Sequence, residues 1–234
     1  MNDIADARAS FAAQAAIFKR KHNWLMCVLY LGTFGSFIGY AAGFPLLIKS
    51  QFPSINPLAY AWLGPLVGAV VRPFGGWLAD KLGGARVTLW NFIVMAVAVV
   101  GVTVFLPSGG NEGQFAGFFV CFLVLFLTTG IGNGSTFRMI PVIFLTEAMR
   151  GVDPRNTAAV AQANKEGNTL GAATLGFTAA MAAYGGFFIP KSYGSSIALT
   201  GSPHAALWTF FAFYLVCIVI TWWHYARKNA AMPC

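Results

Sequence analysis

The sequence predicts an all-α membrane protein, a bundle of six transmembrane helices. Three observations predict it. Apolar residues make up 57% of the 234 residues and charged residues only 9%, a balance suited to lipid rather than water. Six long apolar segments follow one another, most of them near the roughly 20 residues that cross a hydrocarbon core. The bases sit mainly in alternate gaps between those segments, as orientation in a membrane requires. A buried soluble helix is the alternative for any single segment, but six in succession leave it little room. The gaps are too short for a separate soluble domain. The expected organisation is a lead-in over 1–23, the bundle over 24–223 and a tail over 224–234.

The lead-in contains a short alanine-rich stretch, Ala9 to Phe18, followed by Lys19, Arg20 and Lys21. That order is the reverse of a cleavable signal, so the lead-in reads as a cytoplasmic amphipathic segment. The first span runs from about Trp24 to Ile48. It carries Gly32, Gly35, Gly39 and Gly43 on one face, which admits close approach of another helix. Tyr40 and Phe44 share a face at i,i+4, and Pro45 follows them. The plain reading of such an aromatic pair is core or lipid contact.

The second span, about Tyr60 to Ala79, contains Arg72 inside an apolar run. An intramembrane arginine costs several kcal/mol unless it faces a polar cavity or a partner. Arg72 therefore reads as a functional-site candidate, with snorkelling or an ion pair to another subunit as the structural alternative. After it come Gly76, Asp80, Lys81, Gly83, Gly84 and Arg86. Gly76 allows a neighbouring helix to approach, and Gly83 and Gly84 permit a tight reversal. The third span is about Val87 to Leu106.

The fourth span, about Phe115 to Leu145, is the longest, and Pro141 is expected to kink its last part. It holds the small and polar run from Thr128 to Arg138. Arg138 reads as an anchor at the interface or a gate. The gap that follows mixes Glu147, Asp153 and Glu166 with three bases, which suggests salt bridging or a surface helix. The fifth span, about Thr169 to Pro190, carries Gly171, Gly176, Gly185 and Gly186, with Pro190 as its expected end or bend. The sixth is about Ala205 to Trp223.

Orientation follows from the bases. Arg8, Lys19, Arg20, Lys21, Lys81, Arg86, Arg150, Arg155, Lys165, Arg227 and Lys228 fall on one side; Lys49 and Lys191 fall on the other. Both termini and the Asp80–Arg86 turn are expected in the cytoplasm.

The same residues exclude several functions. The net charge is +8, but the bases are not clustered as a nucleic-acid surface. Cys27, Cys121, Cys217 and Cys234 have neither metal nor redox spacing. His22, His204 and His224 form no zinc signature. No acid falls inside the six spans, and no nucleophile framework accompanies the loop carboxylates. The sequence thus points away from an enzyme, a metal site or a bound cofactor.

The spacing Gly76, Asp80, Lys81, Gly83, Arg86 between two apolar runs resembles the short loop motif of the major facilitator superfamily. Arg72, the Gly132-Asn133-Gly134-Ser135-Thr136-Phe137-Arg138 run and the Gly185-Gly186-Phe187-Phe188 run narrow the resemblance to the nitrate/nitrite porter family, with Gly39-Tyr40-Ala41-Ala42-Gly43-Phe44 in support. The resemblance covers nearly the whole chain, but only the carboxyl-terminal six of the family's usual twelve helices. It implies half of a major facilitator fold in a bacterial inner membrane. It implies that Arg72 binds nitrate or nitrite, that Tyr40 and Phe44 shape the anion site, and that Gly171, Gly176, Gly185 and Gly186 form one half of the glycine signature. It also implies a partner, either a complementary six-helix half or another copy, because the second pocket arginine is missing. A non-transporting membrane module, or a homodimeric transporter of another small anion, is the alternative.

Overall fold

The computed structural model describes residues 15–230, 232 and 234. The expected lead-in lies largely outside the described residues; its last part, Ala16–Lys19, is a single 3₁₀ turn. Apart from an isolated bridge between Ser108 and Asn111, the regular structure described is helical. A chain this apolar satisfies its backbone N–H and C=O groups within helices, the one arrangement besides a closed barrel that lipid tolerates.

Helix α1 is Lys21–Gln51, 31 residues long, with a π turn over Leu31–Gly35. Pro45 lies inside it, near its carboxyl-terminal end. Helix α2 is Leu63–Leu82 and α3 is Gly84–Phe105. Helix α4 is Phe115–Met149, with Pro141 inside. Helix α5 is Thr157–Ala183, capped where Asn156 Oδ1 accepts the Ala159 N–H at 3.0 Å. Helix α6 is Gly185–Thr200, and α7 is His204–Thr221, continued by a π turn over Trp222–Ala226. By length and composition, α1, α3, α4, the joined α5–α6 and α7 are each able to cross a membrane. The charges of Arg72, Asp80 and Lys81 set α2 apart, though its 20 residues suffice for a span. The all-α bundle expected from the sequence is the observed fold.

Expected boundaries move at the fifth span, which begins at Thr157 rather than about Thr169, and at one turn. The fifth span does not stop at Pro190. Helices α5 and α6 run on as one 44-residue span, Thr157–Thr200, broken only at Tyr184. A new helix starts at Gly185, so the carbonyl that Pro190 crowds is that of Gly186 in the first turn, where a glycine backbone adjusts. The stretch from Lys191 to Thr200, which fell in the gap between the expected fifth and sixth spans, is therefore helix, and Gly201, at φ +73°, ends it. The other change is the turn between α2 and α3. Gly83 at φ +90° is the one residue between the helices, and Gly84 already belongs to α3.

Helix α4 is the post on which the bundle is built; α2, α3 and α5 all pack on it. Phe118, Phe122, Leu125 and Phe126 of α4 are sealed from solvent, as are Phe92, Met95 and Val99 of α3. Between α2 and α4 the contact is backbone on backbone. A Cβ added at Gly75 would lie 2.3 Å from the Ile131 carbonyl oxygen, and one at Gly130 would lie 2.3 Å from that of Gly68. The glycine face of α1 behaves likewise. A Cβ at Gly39 would stand 2.5 Å from the Gly185 oxygen, and one at Gly185 would stand 2.2 Å from the Gly35 oxygen. Small residues let membrane helices approach this closely, with dispersion and Cα–H contacts replacing the hydrophobic effect.

Candidate functional site

Arg72 lies midway along α2 and is half-buried. Its guanidinium carbon sits 5.7 Å from the centre of the Phe34 ring and 5.8 Å from that of Phe137. Phe34 comes from the π turn of α1 and Phe137 from α4. A cation over an aromatic face is attracted by the ring quadrupole, and more so out of water. Neither ring accepts through the guanidinium N–H groups as a carboxylate would. Among the described residues Arg72 has no ion-pair partner. The five N–H donors are thus available to a ligand.

Local sequence explains each placement. In the π turn, Thr33 turns inward, its hydroxyl 3.0 Å from that of Thr136, while Phe34 turns towards Arg72. Such turns recur at functional sites because they re-aim neighbouring side chains. Tyr30 precedes Phe34 by one turn, its ring 5.3 Å from the Phe34 ring, within electrostatic reach of Arg72. On α4, Gly134 backs onto Arg72 itself: a Cβ there would be 2.3 Å from the Arg72 carbonyl oxygen. The α2–α4 seam thereby fixes the depth of the arginine. One turn before Phe137, on the same face, lies Asn133, only 1% exposed, with Oδ1 sealed and without a partner among the described residues.

The second intrahelical arginine is arranged differently. Arg138 Nη2 and Nε lie 2.6 and 2.7 Å from Asp80 Oδ1. That pair ties α4 to the end of α2. Lys81 lies 4.1 Å over the Trp77 ring, and Arg86 is exposed at the start of α3.

The structure does not bring Tyr40 and Phe44 to Arg72. Both are fully buried. The Tyr40 hydroxyl donates to Tyr214 Oη at 2.5 Å, and Tyr214 donates to Ser36 Oγ at 2.8 Å. Phe44 stacks on Phe122 at 4.6 Å. The four signature glycines also separate. Gly185 is packed against Gly35, and Gly186 faces Ile38. Gly171 is in near contact with Pro141, while a Cβ at Gly176 would meet nothing within 4 Å. A Cβ added at Gly76 would meet only ordinary contacts, at 3.8 Å or more, so the side-chain room that the close approach denies is at Gly75, while the Gly76 backbone faces Gly134. Sequence reasoning missed Tyr30, Phe34 and Phe137. Tyr30 and Phe34 carry the same i,i+4 aromatic spacing that drew attention to Tyr40 and Phe44.

The chain aligns with curated proteins over nearly its whole length. It is 50% identical over 229 residues to the nitrate/nitrite transporter NarU of Salmonella typhimurium, covering 98% of this chain and 49% of that protein. It is 49% identical to NarU of Escherichia coli with the same coverage. It is 37% identical to the probable nitrate/nitrite antiporter NarK2 of Thermus thermophilus, covering 97% of this chain and 47% of that protein.

The chain is homologous to the nitrate/nitrite transporters.

It spans about half the length of these curated relatives. No protein-family model matches it. These relatives are transporters, and that kinship together with the apolar helices makes the chain an integral membrane protein.

Proposed function

We propose that this chain is the carboxyl-terminal six-helix half of a nitrate/nitrite transporter, and that Arg72 contacts the anion. The observation that carries the reading is the Arg72 guanidinium, midway along α2, flanked by Phe34 and Phe137 and unpaired among the described residues. Nitrate and nitrite are small, flat, delocalised anions. A planar guanidinium edge donates two parallel hydrogen bonds to such a ligand, and the flanking rings limit the site to something thin. Tyr30, buried one turn away, packs on Phe34 and holds that ring beside the arginine. No bond is made or broken.

Transport then follows from movement. Two six-helix bundles rock about an anion held near the middle of the membrane, opening it to each side in turn. Asp80 and Arg138, with Lys81 and Arg86, stand at one end of the moving seam and stabilise one of its conformations. The half-length alignment supports a complementary bundle as the partner that completes the site. The bias of the bases supports both termini in the cytoplasm of a bacterial inner membrane.

The test is nitrate flux in proteoliposomes, with the chain alone and with a complementary six-helix half. Flux should need both. Arg72→Lys keeps a point charge but loses the planar fork, so flux should fall steeply at equal insertion. Arg72→Ala should lose more. Near-normal nitrate affinity in the alanine variant would remove Arg72 as the ligand. Saturable uptake by the chain alone would remove the half-transporter reading.

A further inference from the structure

A cavity lies outside the surroundings of Arg72. Helices α2 and α3 are joined by the single residue Gly83. Each packs chiefly on α4 rather than on the other. They splay apart, and the wedge between them is an apolar groove of about 440 Å³ lined by Leu78, Leu82, Trp90, Val94 and Ile131, with Arg86 among its walls. Along α3 the outward stripe is Trp90, Val94, Val97 and Val104, with exposures of 67%, 41%, 66% and 67%. The small residue on this stripe, Gly101, is already covered by Cys121 of α4, 2.7 Å from a Cβ placed there, so the exposed members are all bulky and offer no further helix a close approach. Bulky apolar side chains of this sort suit acyl chains.

Charge names the ligand more narrowly. Arg86 is the one charged residue in the sequence of α3. It is exposed, and among the described residues it has no ion-pair partner. It stands in the first turn of α3, where the helix dipole also favours an anion. Trp90, one turn further in, has the amphipathic ring that favours the headgroup level. A cation at the mouth and an apolar trough behind it match an anionic amphiphile.

We propose that the α2–α3–α4 groove binds one anionic phospholipid, its phosphate on Arg86 and an acyl chain lying past Trp90 and Val94 towards Ile131. The lipid fills the wedge that the one-residue Gly83 turn cannot close. It thereby braces the same α2 helix that carries Arg72.

The test uses the full chain, purified and relipidated with equal amounts of phosphatidylglycerol and phosphatidylcholine of the same acyl composition. Lipids retained after delipidation are counted by native mass spectrometry. Wild type should keep one phosphatidylglycerol in preference to phosphatidylcholine, by about fivefold for a single interfacial base. Arg86→Gln should erase the preference, and Arg86→Lys should retain it. Val94→Trp fills the trough and should lose bound lipid of both kinds. As a second reading, brominated phosphatidylglycerol should quench wild-type tryptophan fluorescence more than that of Trp90→Phe. Equal retention of the two lipids by wild type, or an unchanged preference in Arg86→Gln, overturns the proposal. So does displacement of the lipid when a complementary half binds, because the groove then belongs to that partner.

Discussion

Replacing Gly134 by alanine tests whether the α2–α4 seam sets the position of Arg72. The added Cβ would stand 2.3 Å from the Arg72 carbonyl oxygen, 2.6 Å from the Gly76 nitrogen and 3.0 Å from the Gly75 carbonyl carbon. All three are backbone atoms, so no side chain can swing aside. Ordinary contact begins near 3.4 Å. Helix α2 must therefore withdraw by roughly 1 Å, at an overpacking cost of about 1–3 kcal/mol. The withdrawal also carries the guanidinium away from Phe34 and Phe137. A displacement of about 1 Å at a site that depends on geometry is worth about a hundredfold in rate. The assay pairs thermal unfolding in detergent with nitrate flux in the assembled transporter. Gly176→Ala is the control, because nothing lies within 4 Å of its added Cβ; it should leave both readings unchanged. Wild-type stability and flux in Gly134→Ala would refute the reasoning. Equal damage from Gly176→Ala would mean that these glycines act on something other than helix packing.

Three further outcomes are expected. Asn133→Leu removes a buried oxygen that has no partner among the described residues, so the unfolding midpoint should hold or rise, by the equivalent of about 1–3 kcal/mol at most; a clear fall would reveal a partner for Asn133. Asp80→Asn weakens a pair whose side chains are 50% and 54% exposed, so stability should drop by less than about 1 kcal/mol; flux rate should change while nitrate-over-chloride preference does not, and a large selectivity change refutes the conformational role. Burial pushes the Cys234 thiol up to about 12, so little thiolate exists at pH 8 and alkylation should run well below the rate of an ordinary exposed cysteine; labelling at the ordinary rate would show that the tail leaves the Gly83 turn, where the Cys234 carbonyl now accepts the Ala85 N–H at 3.0 Å.

The helices were legible because apolar run length is a one-dimensional property. Where a boundary moved, a local rule had met a neighbouring residue. Pro190 reads as a stop, but the break at Gly185 five residues earlier let the helix restart and carry the proline inside. Arg72 was legible because a charge in an apolar run is conspicuous without any fold. Its neighbours were not, because they depend on how α1 and α2 are registered. Gly68 of α2 meets Phe37 of α1. The two helices run antiparallel, so four residues further along α2 the partner lies about four residues earlier on α1. Arg72 therefore meets Phe34, and Tyr40 and Phe44 lie one to three turns away towards the opposite end. The sequence contained two aromatic pairs at i,i+4, and only the length of the connection between α1 and α2 decides which one shares a level with the arginine. The choice between Gly75 and Gly76 is of the same kind, since adjacent residues on a helix face about 100° apart.

The two arginines on the α2–α4 seam differ in a way that supports the proposed anion contact at one of them and not at the other. Arg138 already has a carboxylate, Asp80, against its Nε and Nη2. An arriving anion would have to compete with it, in a place open to solvent on both sides of the pair. Arg72 is stabilised by two ring faces instead. Holding an arginine at mid-helix depth in lipid costs about 2.5–3.5 kcal/mol on insertion scales. Two aromatic contacts return about 0.5–2 kcal/mol each. They offset much of the cost without occupying a single N–H donor. A carboxylate in their place would offset more, and would also neutralise the charge and fill the fork that a flat anion needs. The aromatic arrangement keeps the cation tolerable in the empty site and leaves the remaining gain to be made by the ligand. That difference, small in the empty protein and large when an anion arrives, is what binding at this depth requires.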